Sequence, residues 1–229
     1  MNRYVSPFGE RYSSEEMLQL FSPAKKFRTW RALWIALAEA EKKLGLPITE
    51  DQILELRRHA DDLNLDAARA YEEKLKHDVM AHIRAFGDQC PKAKPIIHWG
   101  ATSMYVVDNT DLIVMREALH LVRRQLVNVV EALAKMAKRH AAVPTVAFTH
   151  LQPAQFTTVG KRACLWIQDL LLDIEEVDTR LDRLRFLGVK GTTGTQASFL
   201  ALFDGDEEKV RKLDLQVTKA MGFEETYPV

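Results

Sequence analysis

Cysteine is scarce in this chain of 229 residues, which has only two thiols, Cys90 and Cys164. Their wide separation fits none of the short spacings that hold a zinc ion, and so few cysteines are typical of a protein from a reducing compartment. The sequence also lacks an apolar signal core near its N-terminus and any apolar run of about 18 residues. We therefore expect a cytoplasmic protein with no zinc site, no disulfide and no membrane partner.

Neither sign of charge is in excess, because 32 Lys and Arg side chains balance 32 Asp and Glu side chains. The chain also has no dense run of Lys and Arg, although a nucleic-acid-binding protein normally carries a basic patch or stripe. We expect no nucleic-acid partner. An anionic ligand must instead be held by local groups.

Alternation of apolar and polar residues is missing over any stretch long enough for a sheet core, whereas helix signals cover most of the chain. Ser13 with Glu16 forms a capping-box pattern, and so does Thr49 with Gln52. A helix is predicted to start at Ser22 and to end near residue 45. Another is predicted through "AARAYEEKLKHDVMAHIRAF", and the following "PKAKPIIHWGATSMYVVDN" is predicted to be a loop.

Two long helices are predicted in the second half, over about 109–142 and 158–187. Apolar residues recur along the first at alternating spacings of three and four, which indicates packing against other helices along its length. The fold class is therefore all-α, with a helical N-terminal domain over 1–107 and the truncated first part of a central helical bundle over 108–229. Other subunits, or chain beyond residue 229, are expected to cover the remaining apolar faces.

Three stretches place titratable or hydroxyl side chains at helix ends or between helices, namely "KHDVMAH", "HWGATS" and "FTHLQPAQFTTVGKR". Simple structural roles remain open for several of these residues: His82 suits packing, Thr102 and Ser103 suit helix capping, and "GVKGTTGT" suits a plain connection. His150 lies off any helical stripe, in a turn stiffened by proline at the expected mouth of the second long helix. Because histidine titrates near neutral pH, we interpret His150 as a candidate proton donor.

The three stretches, read in order with the N-terminal "RY", "LWIQDL" and "FLGVKGTTGTQASF", resemble the fumarase/aspartase superfamily and, within it, the adenylosuccinate lyase family. The likeness covers nearly the whole chain. It implies a β-elimination that releases fumarate from adenylosuccinate, giving AMP, and from the succinylated aminoimidazole carboxamide ribotide of purine synthesis. It implies no metal and no organic cofactor, and a small-molecule succinyl-nucleotide substrate.

The resemblance also implies roles for individual residues. His150 stands where the family has its general acid, and His77 where it has a second active-site histidine. The positions implied to bind substrate are Arg11, Tyr12, Lys76, Asp78, His98, Thr102 and Ser103. Lys76 stands where relatives can carry arginine, so it keeps the charge but lacks the two-pronged guanidinium.

One departure from the family concerns the base. The family's base is a serine on a loop with a "GSSAMPYKRNP"-like signature, and these 229 residues contain no such stretch. We therefore expect the chain to be inactive by itself and the longer protein to be a homotetramer whose sites combine three subunits. Two alternatives stay open, another lyase of the superfamily, of the argininosuccinate lyase or fumarase type, and a non-catalytic helical scaffold.

Overall fold

A computed structural model describes residues 6–229 of the chain, and helices make up most of this part. The α-helices are α1 Pro7–Tyr12, α2 Glu15–Leu20, α3 Pro23–Lys43, α4 Glu50–Arg58, α5 Leu65–Leu75, α6 Asp78–Gln89, α7 Ser103–Arg139, α8 Val159–Arg183, α9 Ala197–Leu202 and α10 Glu207–Ala220. A 3-10 turn covers Lys94–Ile96, and the strands are β1 Pro144–Thr149 and β2 Gln152–Thr158. The predicted all-α class is confirmed.

Local capping sets most of the helix starts. The Ser22 hydroxyl accepts a hydrogen bond from the Lys25 N–H at 3.2 Å, so α3 begins where predicted. Thr49 and Gln52 form the complete capping box that starts α4. The prediction for α2 was wrong by one residue, because Ser14 rather than Ser13 is the cap.

The helix predicted through "AARAYEEKLKHDVMAHIRAF" is in fact two helices, α5 and α6. Lys76 ends α5 in the left-handed conformation, at φ 55°, and His77 caps the start of α6. The prediction that 158–187 forms a single helix was nearly right: Thr158 is the cap, but α8 ends at Arg183. The first long helix starts earlier than predicted, because α7 begins at Ser103.

The antiparallel hairpin of β1 and β2 was not predicted from the sequence. Thr149 pairs with Gln152, so His150 and Leu151 form the two-residue turn between the strands. Both have positive φ, 49° and 62°, as in the turns that suit the twist of paired strands. His150 therefore lies at the tip of a hairpin and not at the mouth of α8, and the prediction of its setting was wrong.

The described residues form two compact units. The first comprises the residues up to Met115 together with Arg185–Val229, and the second comprises Arg116–Leu184. This grouping differs from the division at 107/108 that we predicted for the domains of the longer protein, which stays a prediction. Residues 1–5 of that predicted N-terminal domain lie outside the described part of the chain.

The first unit has an aromatic core. Its largest fully buried side chains are Trp30, Trp34, Tyr105, Phe86, Phe186 and Phe199. Buried Asn109 on α7 links this core to the segment after α8: its amide group donates to the carbonyls of Tyr105 and Gly188, at 2.8 and 3.0 Å. Its Oδ1 accepts from the N–H groups of Leu187 and Gly188.

We predict that Asn109→Ala lowers the free energy of unfolding by about 3 kcal/mol or more, because several buried backbone groups lose their partner at once. Chemical denaturation of the 229-residue chain measures the loss. The matched control is Asn128→Ala, which removes an exposed asparagine from the same helix. Equal losses in the two variants would contradict a special role for Asn109.

The second unit contains most of α7, the hairpin and α8. The Arg123 guanidinium binds the Asp178 carboxylate with two hydrogen bonds, at 2.5 and 3.1 Å, and so ties α7 to α8. A Cβ at Gly160 would lie 2.4 Å from the carbonyl oxygen of Ala137, so only glycine permits this approach. Several large apolar side chains of this unit remain exposed, among them Val122, Val129, Met136, Leu165, Trp166 and Leu172.

Candidate active site

The break between α5 and α6 presents the "KHD" stretch. His77 Nδ1 accepts the Met80 N–H at 3.5 Å, the capping contact of α6. The Asp78 carboxylate accepts the Val79 N–H at 2.7 Å and lies 3.7 Å from His77 Nδ1. The imidazole is thus held by its Nδ1 edge, and Nε2 is the nitrogen left for other partners.

Ser103, the first residue of α7, meets that nitrogen. Its hydroxyl lies 3.1 Å from His77 Nε2, although Ser103 starts α7 and His77 caps α6. The adjacent Thr102 hydroxyl lies 3.1 Å from the Thr192 hydroxyl, in the loop between α8 and α9. Free N–H groups at a helix start, together with hydroxyls, form a suitable place for an anion such as a carboxylate.

The turn that leads into α7 is anchored from α9. The Ser198 hydroxyl donates to the Gly100 carbonyl at 2.6 Å. Gly100 has φ 70°, and a Cβ there would lie 2.5 Å from Leu202 Cδ1 and 3.0 Å from the Phe199 ring. Position 100, two places before Thr102, therefore favours glycine, and the hydrogen bond from Ser198 anchors the turn that carries the hydroxyl pair.

His98 lies on the same turn and is partly buried. Its backbone is in the left-handed region at φ 66°, which residues other than glycine adopt only uncommonly. The Trp34 indole N–H donates to His98 Nδ1 at 2.9 Å. Burial, with a smaller effect of the His77 ring, lowers the pKa of His98 to about 4, so this ring is neutral at physiological pH.

The structure brings together His77, Asp78, His98, Thr102 and Ser103 of the predicted site, and Lys76 directly precedes His77 in the sequence. Arg11 and Tyr12 are exposed on α1 and make no hydrogen bond to this cluster among the described residues. His150 is exposed at the hairpin tip and belongs to the other unit. The assigned roles of all nine residues stay predictions.

Three residues of this region were not predicted: Trp34, Thr192 and Ser198. Trp34 lies in the helix predicted from Ser22, Thr192 lies in the stretch "GVKGTTGT" that suits a plain connection, and Ser198 follows that stretch. The repeated glycine and threonine of "GVKGTTGT" was the available signal. His82, by contrast, packs as expected, stacked on Phe27 with ring centroids 3.7 Å apart.

Neither a metal-binding cluster nor a membrane span is found in the part of the chain that the structure describes. Across residues 6–229, no three His, Cys, Asp or Glu side chains are grouped so that they could hold a metal ion. Within the same residues, no helix combines the length and the apolar character needed to cross a membrane.

Comparison with known proteins identifies the class. The protein-family model described as "Lyase" matches residues 31–222. Two solved structures share the fold with a TM-score of 0.82: a fumarate lyase from Mesorhizobium sp. BNC1, 23% identical over 93% of this chain and 49% of that one, and a 3-carboxy-cis,cis-muconate lactonizing enzyme from Pseudomonas putida, 21% identical over 97% and 50%. The chain belongs to this lyase family, and its predicted fumarase/aspartase-like fold is confirmed.

Similarity to individual relatives is more specific. Adenylosuccinate lyase from Saccharomyces cerevisiae is 49% identical over 100% of this chain and 48% of the relative. The adenylosuccinate lyases of Schizosaccharomyces pombe and Schistosoma mansoni are 50% and 47% identical, each over 99% of this chain and 48% and 47% of the relative. The chain thus spans about half the length of the curated relatives it matches.

Proposed function

We propose that this chain forms about half of an adenylosuccinate lyase, which releases fumarate from adenylosuccinate and from the succinylated aminoimidazole carboxamide ribotide during purine nucleotide synthesis. The observation that carries the proposal is identity of 47–50% to adenylosuccinate lyases along almost the entire chain. The contact of His77 with Ser103 supports it, because it joins two of the predicted site residues at the starts of α6 and α7.

Each predicted residue has a chemical task in this proposal. Thr102 and Ser103 bind a succinyl carboxylate through their hydroxyls and the N–H groups at the start of α7. Elimination places negative charge on the carbon next to a carboxylate, so fixed donors around that carboxylate stabilise the costly intermediate. His150 protonates the departing nitrogen. Lys76, His77, Asp78 and His98 bind and orient the substrate, and Arg11 and Tyr12 contact its nucleotide part.

We further propose that the longer protein is a cytoplasmic homotetramer with composite sites. The exposed apolar side chains of α7 and α8 support this assembly, because large exposed apolar patches mark surfaces that bind other proteins, here other subunits. The proposal also accounts for the placement of His150 on an exposed hairpin tip, from which it is available to a neighbouring subunit.

The proposal predicts an activity that can be measured directly. A longer protein that contains this chain should convert adenylosuccinate to AMP and fumarate, followed by the change in ultraviolet absorbance. The 229-residue chain alone should show no turnover, since it has no stretch similar to the family's serine loop. Turnover of argininosuccinate, or hydration of fumarate, in place of adenylosuccinate cleavage would favour the superfamily alternative.

A non-catalytic helical scaffold is the second alternative. It accounts for the long helices but gives no reason for His77, His98 and the Thr102–Ser103 pair to lie on neighbouring turns. Binding of fumarate or AMP to the longer protein, measured by calorimetry, separates the two. Absence of both binding and turnover would favour the scaffold.

A further inference from the structure

We propose that Trp34 is a positioning residue that holds His98 in a single tautomer, with its proton on Nε2, and so makes His98 a fixed hydrogen-bond donor in the site. The proposal stands on the 2.9 Å contact between the Trp34 indole nitrogen and His98 Nδ1. An indole N–H can only donate, so the nitrogen it meets must be unprotonated. A neutral imidazole has one proton, which must then be on Nε2.

Trp34 is rigidly placed for this task. Its side chain is 1% exposed in the core of the first unit. The indole stacks on Phe86 at 6.1 Å between centroids and meets Trp30 edge to face at 6.2 Å. The rings of Trp34 and His98 are almost perpendicular, at 87°, an angle compatible with an in-plane indole N–H that meets the in-plane lone pair of Nδ1. Packing against these two aromatic neighbours holds the indole N–H directed at His98.

The surroundings of His98 keep it from becoming a cation. Burial disfavours the charged ring, and the nearby His77 ring acts in the same direction, so the pKa of His98 is about 4. Protonation would also place a hydrogen on Nδ1, directly against the indole N–H. His98 therefore stays neutral at the pH values, near 6.5, at which an ordinary histidine is about half protonated, and its one proton stays on Nε2.

His77 and His98 then have different roles in the site, an assignment that rests on the function proposed above. His77 contacts the Ser103 hydroxyl through Nε2 and is exposed. His98 instead offers an N–H in a fixed direction, suited to an oxygen or nitrogen acceptor of the substrate. In this assignment His98 binds and orients and does not exchange protons during the reaction.

The tautomer can be observed without any assay of activity. Nitrogen-15 NMR of the 229-residue chain, with labelled histidine and His98 assigned through His98→Asn, distinguishes a protonated from an unprotonated ring nitrogen. We expect an unprotonated Nδ1 and a protonated Nε2 from pH 6 to pH 8. A protonated Nδ1 in the unmodified chain would overturn the proposal, whatever the variants do.

Two matched variants test the role of the indole. Trp34→Phe removes the donor and should give His98 signals of mixed tautomers. Trp30→Phe keeps an aromatic ring beside Trp34 but removes a buried indole N–H that has no hydrogen-bond partner among the described residues. It should leave the His98 signals unchanged. Unchanged tautomer signals in Trp34→Phe would show that the indole does not hold His98.

Kinetics of the longer protein test the consequence for the reaction. We expect Trp34→Phe to lower kcat/KM for adenylosuccinate by about 10-fold or more, by analogy with the loss of a partner that orients a metal-binding histidine. Trp30→Phe should change kcat/KM by less than about threefold. Mixed tautomers with unchanged kinetics would overturn the positioning role, whereas an unmodified protein that leaves adenylosuccinate intact would overturn the proposed function alone.

Discussion

Replacing Glu41 with glutamine is expected to stabilise this chain by about 2–4 kcal/mol at pH 7.5. Glu41 lies near the end of α3 with 0% of its surface exposed, and neither carboxyl oxygen has a hydrogen-bond partner among residues 6–229. Burial raises its pKa to about 9. Glutamine has nearly the same shape but never ionises, so it avoids the cost that the carboxyl group imposes on folding at neutral pH.

The number of protons bound by Glu41 in the folded and unfolded states determines how its contribution to stability changes with pH. In the unfolded chain Glu41 loses its proton near pH 4.5, whereas the folded chain retains it to about pH 9. Between these values the folded state binds more protons, so stability falls as pH rises, by about 1.4 kcal/mol per pH unit. Three pH units, from 4.5 to 7.5, give an upper value of about 4 kcal/mol. Below pH 4.5 the contribution vanishes.

Urea denaturation of the unmodified chain and Glu41→Gln at pH 5 and pH 8 measures this effect. The two should be nearly equal at pH 5 and clearly different at pH 8. Glu39→Gln is the control on the same helix, because Glu39 already has a partner in Arg57 at 2.7 Å. It should show no stabilisation at either pH. A Glu41→Gln chain that gains nothing at pH 8 would show that the buried carboxyl group is satisfied in solution.

The parts of the fold that the sequence predicted correctly depend on neighbouring residues. Ser22, Thr49 and Thr158 each cap a helix through a backbone N–H three residues on, so their effect is readable from a short stretch. The break at Lys76 could not be read in this way. The stretch keeps helical periodicity through the break, and a lysine gives no signal for a left-handed conformation, which glycine normally adopts.

The hairpin was missed for a related reason. Two-residue turns of this type are normally signalled by Asn-Gly or Asp-Gly, and here the turn residues are His150 and Leu151. The polar contacts of the site could not be predicted from the sequence, because they join distant parts of the chain. His77 meets Ser103, and Thr102 meets Thr192, only once several helices have packed. Resemblance to a family indicated His77 and Ser103 as site residues, whereas Thr192 was found only from the structure.

Replacing His150 with asparagine in the longer protein is expected to lower kcat for adenylosuccinate by about 10²–10⁴-fold. His150 has φ 49° at the turn of the hairpin, and asparagine is among the residues that adopt this conformation most readily. The substitution therefore removes the imidazole while it preserves the turn. The loss follows if His150 protonates the departing nitrogen, because asparagine cannot release a proton at neutral pH.

Leu151→Asn is the control that distinguishes the loss of the imidazole from a change in the shape of the turn. Leu151 is 93% exposed with φ 62°, so asparagine suits its backbone equally well and takes away no titratable group. We expect it to keep kcat within about tenfold of the unmodified enzyme, with the oligomeric state of both variants checked by light scattering. If His150→Asn retains normal turnover, His150 is not the acid. If both variants lose activity equally while the assembly persists, the shape of the hairpin tip, and not proton transfer, explains its place in the site.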